Sequence, residues 1–146
     1  MSTLKVAFQK PTNKICTPVE IRTLKVTGKP TKFAKGTALW DTGATRTAIN
    51  QKVASGLGLK PVDKTVARTA NGDLTTYVYV VDVLLPGGIK IPNLSVSGAP
   101  LGDLAALIGM DIIGRGDMLI INDGKTTFEF RIPSSGCAPF SAQNTP

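Results

Sequence analysis

The chain has 146 residues, 42% of them hydrophobic and 18% charged, with a formal net charge of +7 and no histidine. That length and composition fit one globular domain with its own core, and they exclude a disordered chain and any catalytic or metal site built on histidine. No apolar run reaches the ~18 residues of a membrane helix, and the opening MSTLKVAFQKPTNK has no apolar leader, so a cytoplasmic protein without a membrane partner is expected. Cys16 and Cys137 lie near opposite ends in no metal or redox spacing, and free thiols are expected.

In chain order, the front is basic. Lys5, Lys10, Lys14, Arg22, Lys25, Lys29, Lys32 and Lys35 face only Glu20, and Phe8 and Phe33 are the only aromatics among them. This reads as a solvated edge, with no nucleic-acid partner expected. Glu20–Val26 alternates like a strand and ends at the turn Thr27-Gly28-Lys29-Pro30. Thr37–Trp40 is a second strand, and it runs directly into Asp41-Thr42-Gly43-Ala44. Asn50–Leu57 opens on an N-cap residue and closes at Gly56 and Gly58, with Pro61 beyond, which predicts a helix. Thr65–Arg68 and the long β-branched run Thr75–Leu85 flank Asn71-Gly72, a pair suited to the positive φ values of a tight hairpin. After Pro86-Gly87-Gly88 come Ile89–Ile91 and Leu94–Ser97, two further strands. Leu107-Ile108-Gly109 leads into a short helix over Gly109–Gly114. Asp117–Ile121 and Thr126–Ile132 form a last pair about Asp123-Gly124, followed by a polar tail. Many short strands between turn residues make an all-β barrel or sandwich.

Two motifs fail on inspection. Gly124-Lys125-Thr126 has Leu119 where a phosphate loop needs its first glycine, and Gly56–Pro61 has proline where a dinucleotide fingerprint needs its last. Asp41-Thr42-Gly43 remains. A strand that ends on a carboxylate needs a reason, because a buried charge is costly without a partner or a task. The bland reading is an Asx-type turn.

The ordered set ALWDTGAT (Ala38–Thr45), Val53–Pro61, the hairpin Thr69–Val80 and ALIGMDIIGRGDM (Ala106–Met118) resembles the retropepsin-like aspartic proteases, the bacterial and phage-type members more than the retroviral ones. The resemblance covers most of the chain. It implies an all-β, single-domain acid-protease barrel with one or two short helices, acting as a homodimer on polypeptide substrates without metal or cofactor. It implies Asp41 as the catalytic residue, used once from each copy. Thr42, whose hydroxyl would bond to the partner's loop, Gly43 and Ala44 would support it. Ala70, Asn71 and Gly72 would form the flap, and Ile108 and Gly109 would join it in binding substrate. Asp111 is expected to be structural, and Thr126–Ile132 to be the dimer strand. The domain would span residues 18–132, with residues 1–17 an N-terminal extension and residues 133–146 a flexible C-terminal tail, both open to trimming. Two readings from other classes stand beside it: a silent peptide-binding module of the same fold, and a basic nucleic-acid-associated protein. One departure is coordinated. Many retroviral members pair an acid with an arginine where this chain has Thr45 and Met110.

Overall fold

In a computed structural model, which describes residues 1–136, the chain forms β1 (Ser2–Ala7), β2 (Cys16–Arg22), β3 (Phe33–Trp40), β4 (Ala48–Asn50), α1 (Gln51–Gly56), β5 (Asp63–Thr69), β6 (Gly72–Leu85), β7 (Ile89–Ala99), β8 (Ala106–Ile108), α2 (Met110–Ile113), β9 (Asp117–Asn122) and β10 (Thr126–Ile132). Strands β2, β3, β8, β4, β7 and β6 join edge to edge in that order, and a pairing of β6 back to β2 closes them into a barrel. The β3–β8 and β4–β7 pairs are parallel, and the rest of the barrel is antiparallel. Ile21, Ala38, Ile49, Val81, Val83, Val96, Ala106 and Ile108 point inward and are fully buried. At ~1.5–3 kcal/mol for each large aliphatic side chain removed from water, this interior is the main force holding the barrel. The first half of β6 runs on past the barrel and pairs with β5, forming the expected hairpin about Ala70 and Asn71.

A second sheet, in the order β1-β10-β9 and antiparallel throughout, lies against the barrel. Phe128 and Phe130 of β10 are fully buried and tilt against Trp40, with ring centroids 4.9 and 5.0 Å away. This packing fixes the end of β3 immediately before Asp41. Trp40 also donates its indole N–H to Thr17 Oγ1 at 2.9 Å, so its one polar atom is satisfied in the core.

Several elements differ from the sequence reading. The second strand is Cys16–Arg22, not Glu20–Val26. Thr17, Val19 and Ile21 share the inward face, whereas Leu24 and Val26 fall on the opposite parity, and the chain leaves the sheet at Thr23. Ile89–Ile91 and Leu94–Ser97 are one strand, β7. A register shift between Val81 and Val83 absorbs Pro92 and Asn93, and Asp82 at that bulge accepts the Asn93 N–H at 2.9 Å. Ser2–Ala7, within the expected N-terminal extension, is a strand with Leu4 in the core. Thr126–Ile132 is not an open dimer strand, because both of its edges are occupied by β1 and β9. Cys16 is a half-buried free thiol; Cys137 and most of the expected C-terminal tail lie outside the described residues. Among the described residues no helix is long and apolar enough to cross a membrane.

Candidate active site

β3 delivers Asp41 to the barrel mouth. The last residue of the strand, Trp40, is held by its packing, and the Asp41 N–H donates to Ile108 O of β8 at 2.8 Å. The chain then turns: Ala44 N–H donates to Asp41 O at 3.2 Å, and Gly43 N–H donates to Asp41 Oδ1 at 2.8 Å. A Cβ at Gly43 would stand 3.2 Å from that same oxygen, so glycine leaves the carboxylate room beside its donor. Asp41 and Ala44 are partly exposed and Thr42 and Gly43 exposed. The site is therefore an open shelf on this chain.

The shelf is locked to the segment that follows β8. Met110 N–H donates to Ala44 O at 2.8 Å, and Gly109 N–H donates to the buried Thr47 Oγ1 at 3.1 Å. Only glycine fits at 109, since a Cβ there would lie 2.8 Å from Arg46 C and 2.9 Å from both Ala44 O and Arg46 O. Asp111, at the start of α2, closes the lock. Its Oδ1 accepts Thr47 Oγ1–H at 2.7 Å and Ile112 N–H at 3.0 Å, and its Oδ2 accepts Thr47 N–H at 2.9 Å. Asp111 is thus fully engaged in structure. Where many retroviral enzymes have an ion pair, the Thr45 and Met110 loops here are joined through backbone and through Thr47.

Of the residues singled out in the sequence, Asp41, Thr42, Gly43, Ala44, Ile108 and Gly109 come together on these two linked loops. Ala70, Asn71 and Gly72 sit apart at the exposed tip of the β5–β6 hairpin. The tip is stabilised locally: Thr69 Oγ1–H donates to Gly72 O at 2.6 Å, and Asn71 N–H donates to Thr69 Oγ1 at 3.3 Å. Sequence reasoning missed Thr47 and the Thr17–Trp40 bond. The Asn50 cap was legible, and its side chain does accept Lys52 N–H at 3.0 Å. Its amide also donates to Gly102 O and Leu104 O at 2.9 Å each, which anchors the loop ahead of β8.

A closed barrel, an Asp-Thr-Gly turn at the end of β3, and an apolar-apolar-Gly segment with a short helix locked against that turn define the retropepsin-like aspartic protease fold. Residues 19–115, more than half of the chain, match the family model described as "gag-polyprotein putative aspartyl protease", and the chain belongs to that family. The crystal structure of a retropepsin-like aspartic protease from Rickettsia conorii is similar in fold, with a TM-score of 0.53 at 16% identity over 88% of this chain and 92% of that one. The solution structure of the Simian Foamy Virus (mac) protease is 21% identical, with a TM-score of 0.48 over 68% of this chain and 92% of that one. No curated protein matches this sequence.

Proposed function

We propose that the chain is an aspartic endopeptidase that works as a homodimer, with two copies of Asp41 facing each other across a two-fold axis. The observation that carries this reading is the contrast between the two carboxylates on the linked loops. Asp41 is partly exposed with a single backbone N–H on Oδ1, while both oxygens of Asp111 are taken up by Thr47 and Ile112. The second acid that the chemistry needs is then supplied by an identical turn on a partner copy.

Two carboxylates held close do not both ionise, so the pair holds one proton. The ionised member takes a proton from water as the water oxygen attacks the scissile carbonyl carbon. The protonated member gives its proton to the carbonyl oxygen. The tetrahedral diol then collapses: the C–N bond breaks, the leaving amine takes the dyad's proton, and one diol hydroxyl passes its proton to the other carboxylate as the product's C=O reforms, so the dyad is again singly protonated. In this reading Thr42 and Ala44 shape the turn, and Ile108 and Gly109 border the substrate. The tip Ala70–Asn71–Gly72 closes over an extended peptide through its backbone.

Asp41→Asn removes one ionisable group and almost no volume. It is expected to lower cleavage of a mixed peptide library, read by mass spectrometry, by about 10²-fold or more, with the dimer intact by sedimentation. Undiminished cleavage by the purified variant would overturn the mechanism. Peptide binding by the wild type without any cleavage would point instead to a silent peptide-holding module of the same fold.

A further inference from the structure

A second concave site, sharing no residue with the Asp41 turn, lies between the β2–β3 connection and the segment that links α1 to β5. It is a cavity of about 560 Å³, within the size range of sites that hold a ligand or a peptide side chain. Its walls are aliphatic. Val26 and Val62, which line it from opposite sides, are 52% and 63% exposed, and Leu59 lies half-buried between them. Lys29, Lys32 and Lys60 line the same cavity, and among the described residues no carboxylate does. Other lysines have acidic neighbours: Lys35 lies 3.9 Å from Glu20, and Lys90 lies 3.8 Å from Asp82. Among the described residues none of the three rim lysines has such a partner.

Both walls are held in shape by backbone. On one side Thr23 N–H donates to Lys32 O at 2.9 Å, Lys32 N–H donates to Thr23 Oγ1 at 2.9 Å, and Lys29 N–H donates to Val26 O at 3.1 Å. On the other, Leu59 N–H donates to Ala54 O at 3.0 Å and Val62 N–H donates to Val78 O at 2.8 Å. The site is preformed, so little ordering cost opposes a ligand.

We infer that this cavity is a docking site for an acidic polypeptide segment that places an aliphatic side chain between flanking carboxylates. Charge complementarity chooses the sign, since the rim presents three cations and, among the described residues, nothing to neutralise them. The lining chooses the class. Among the described residues no aromatic ring lines the cavity on which a nucleobase would stack. The inference is independent of peptide cleavage at Asp41.

The test uses the full chain carrying Asp41→Asn, so that no probe is consumed. The probe is a fluorescein-labelled peptide with one leucine inside a run of glutamates and aspartates, and the control is its glutamine and asparagine counterpart. Fluorescence anisotropy is expected to show saturable binding of the acidic peptide that weakens as salt rises. The exposed triple change Lys29→Glu, Lys32→Glu and Lys60→Glu is expected to weaken it by about tenfold or more. Val62→Asp is expected to do the same with all three lysines in place, and amide NMR shifts are expected over residues 23–32 and 57–62. Absence of saturation up to about 1 mM, a Kd too weak for a specific site, would overturn the proposal. So would equal binding of the neutral peptide, shifts confined to another face, or tighter binding of single-stranded DNA or anionic vesicles to these residues. Loss of cleavage in the wild type would bear on Asp41 alone.

Discussion

At Thr47 one buried hydroxyl serves two loops, donating to Asp111 and accepting the Gly109 N–H. Thr47→Val keeps the shape, leaves the buried Gly109 N–H without its acceptor and takes one of two hydrogen bonds from Asp111 Oδ1, which costs about 1–3 kcal/mol. The expected result is a lower melting temperature and a kcat reduced more than KM is changed, because the Asp41 shelf loosens; Thr47→Ser should restore both. A valine variant that melts with the wild type would mean that the lock holds nothing. Asp117 lends itself to a pH test. The Ser134 hydroxyl and then the Ser135 N–H hold its carboxyl down to about 2 from an ordinary value of 3.8; desolvation opposes them, and Arg131 adds a further lowering. A carboxyl lowered in the folded state stabilises above its unfolded value and loses that contribution as pH falls toward the folded one. Thermal melts of the wild type should therefore fall more steeply between about pH 4 and pH 2 than those of Asp117→Asn; parallel curves would show that the cluster contributes nothing. The catalytic candidate was legible because Asp-Thr-Gly after an apolar run is a pattern with a mechanism. Thr47 was not, because a threonine acquires its partners only when residues more than sixty positions apart meet.

At the level of elements, the long strands were legible because their side chains alternate, as in Thr75–Leu85, and the α1 cap because Asn50 opens it. The three-residue strands β4 and β8 were not. Three residues carry no period, and both strands exist through pairings to distant chain, β4 with β7 and β8 with β3. The dimer strand was misread for a related reason: the composition of Thr126–Ile132 predicts a strand but cannot say which strands flank it. Among the described residues the edges of that sheet are β1 and β9. Met118–Ile121 of β9 carries no charge, with Ile120 and Ile121 43% and 41% exposed, whereas the edge strand β1 bears Lys5 and β5 bears Lys64 and Arg68. An uncharged apolar edge invites a partner strand. Because Ile120 pairs with Phe128, which packs on Trp40, a copy added at β9 would extend the sheet that supports the strand ending at Asp41. In the homodimer proposed above, Ile120→Lys is expected to weaken association by about tenfold or more in sedimentation equilibrium. Its specific activity should fall on dilution at higher protein concentration than the wild type's, with the same melting temperature as the wild type when both are dilute enough to be monomeric. An unaltered dimer would move the interface elsewhere and leave the chemistry at Asp41 untouched.

For the molecule as a whole, barrel closure was the least legible feature. It depends on β6 being long enough to meet β5, β7 and β2 in turn, and only the bulge at Asp82 lets it keep step with a strand containing Pro92. The role of the N-terminus was hidden for the same reason. Ser2–Ala7 alternates weakly and is basic, so it reads as a solvated edge, yet it pairs along the whole of β10 and buries Leu4 at 1% exposure beside the barrel. β10 in turn supplies Phe128 and Phe130, which support Trp40. Deleting residues 1–8 would uncover one edge of β10 and remove Leu4 from the core, at least about 2 kcal/mol from that side chain alone. The loss would reach Asp41 through Phe130 and Trp40. The shortened chain is expected to melt several degrees lower and to lose activity in proportion to the fraction unfolded at the assay temperature. By the same reasoning, any trimming of the wild type should spare these residues, since a strand paired in a sheet does not present the extended, unpaired backbone that cleavage requires. A deletion variant with the melting temperature and activity of the intact chain would return residues 1–17 to the status of a dispensable extension.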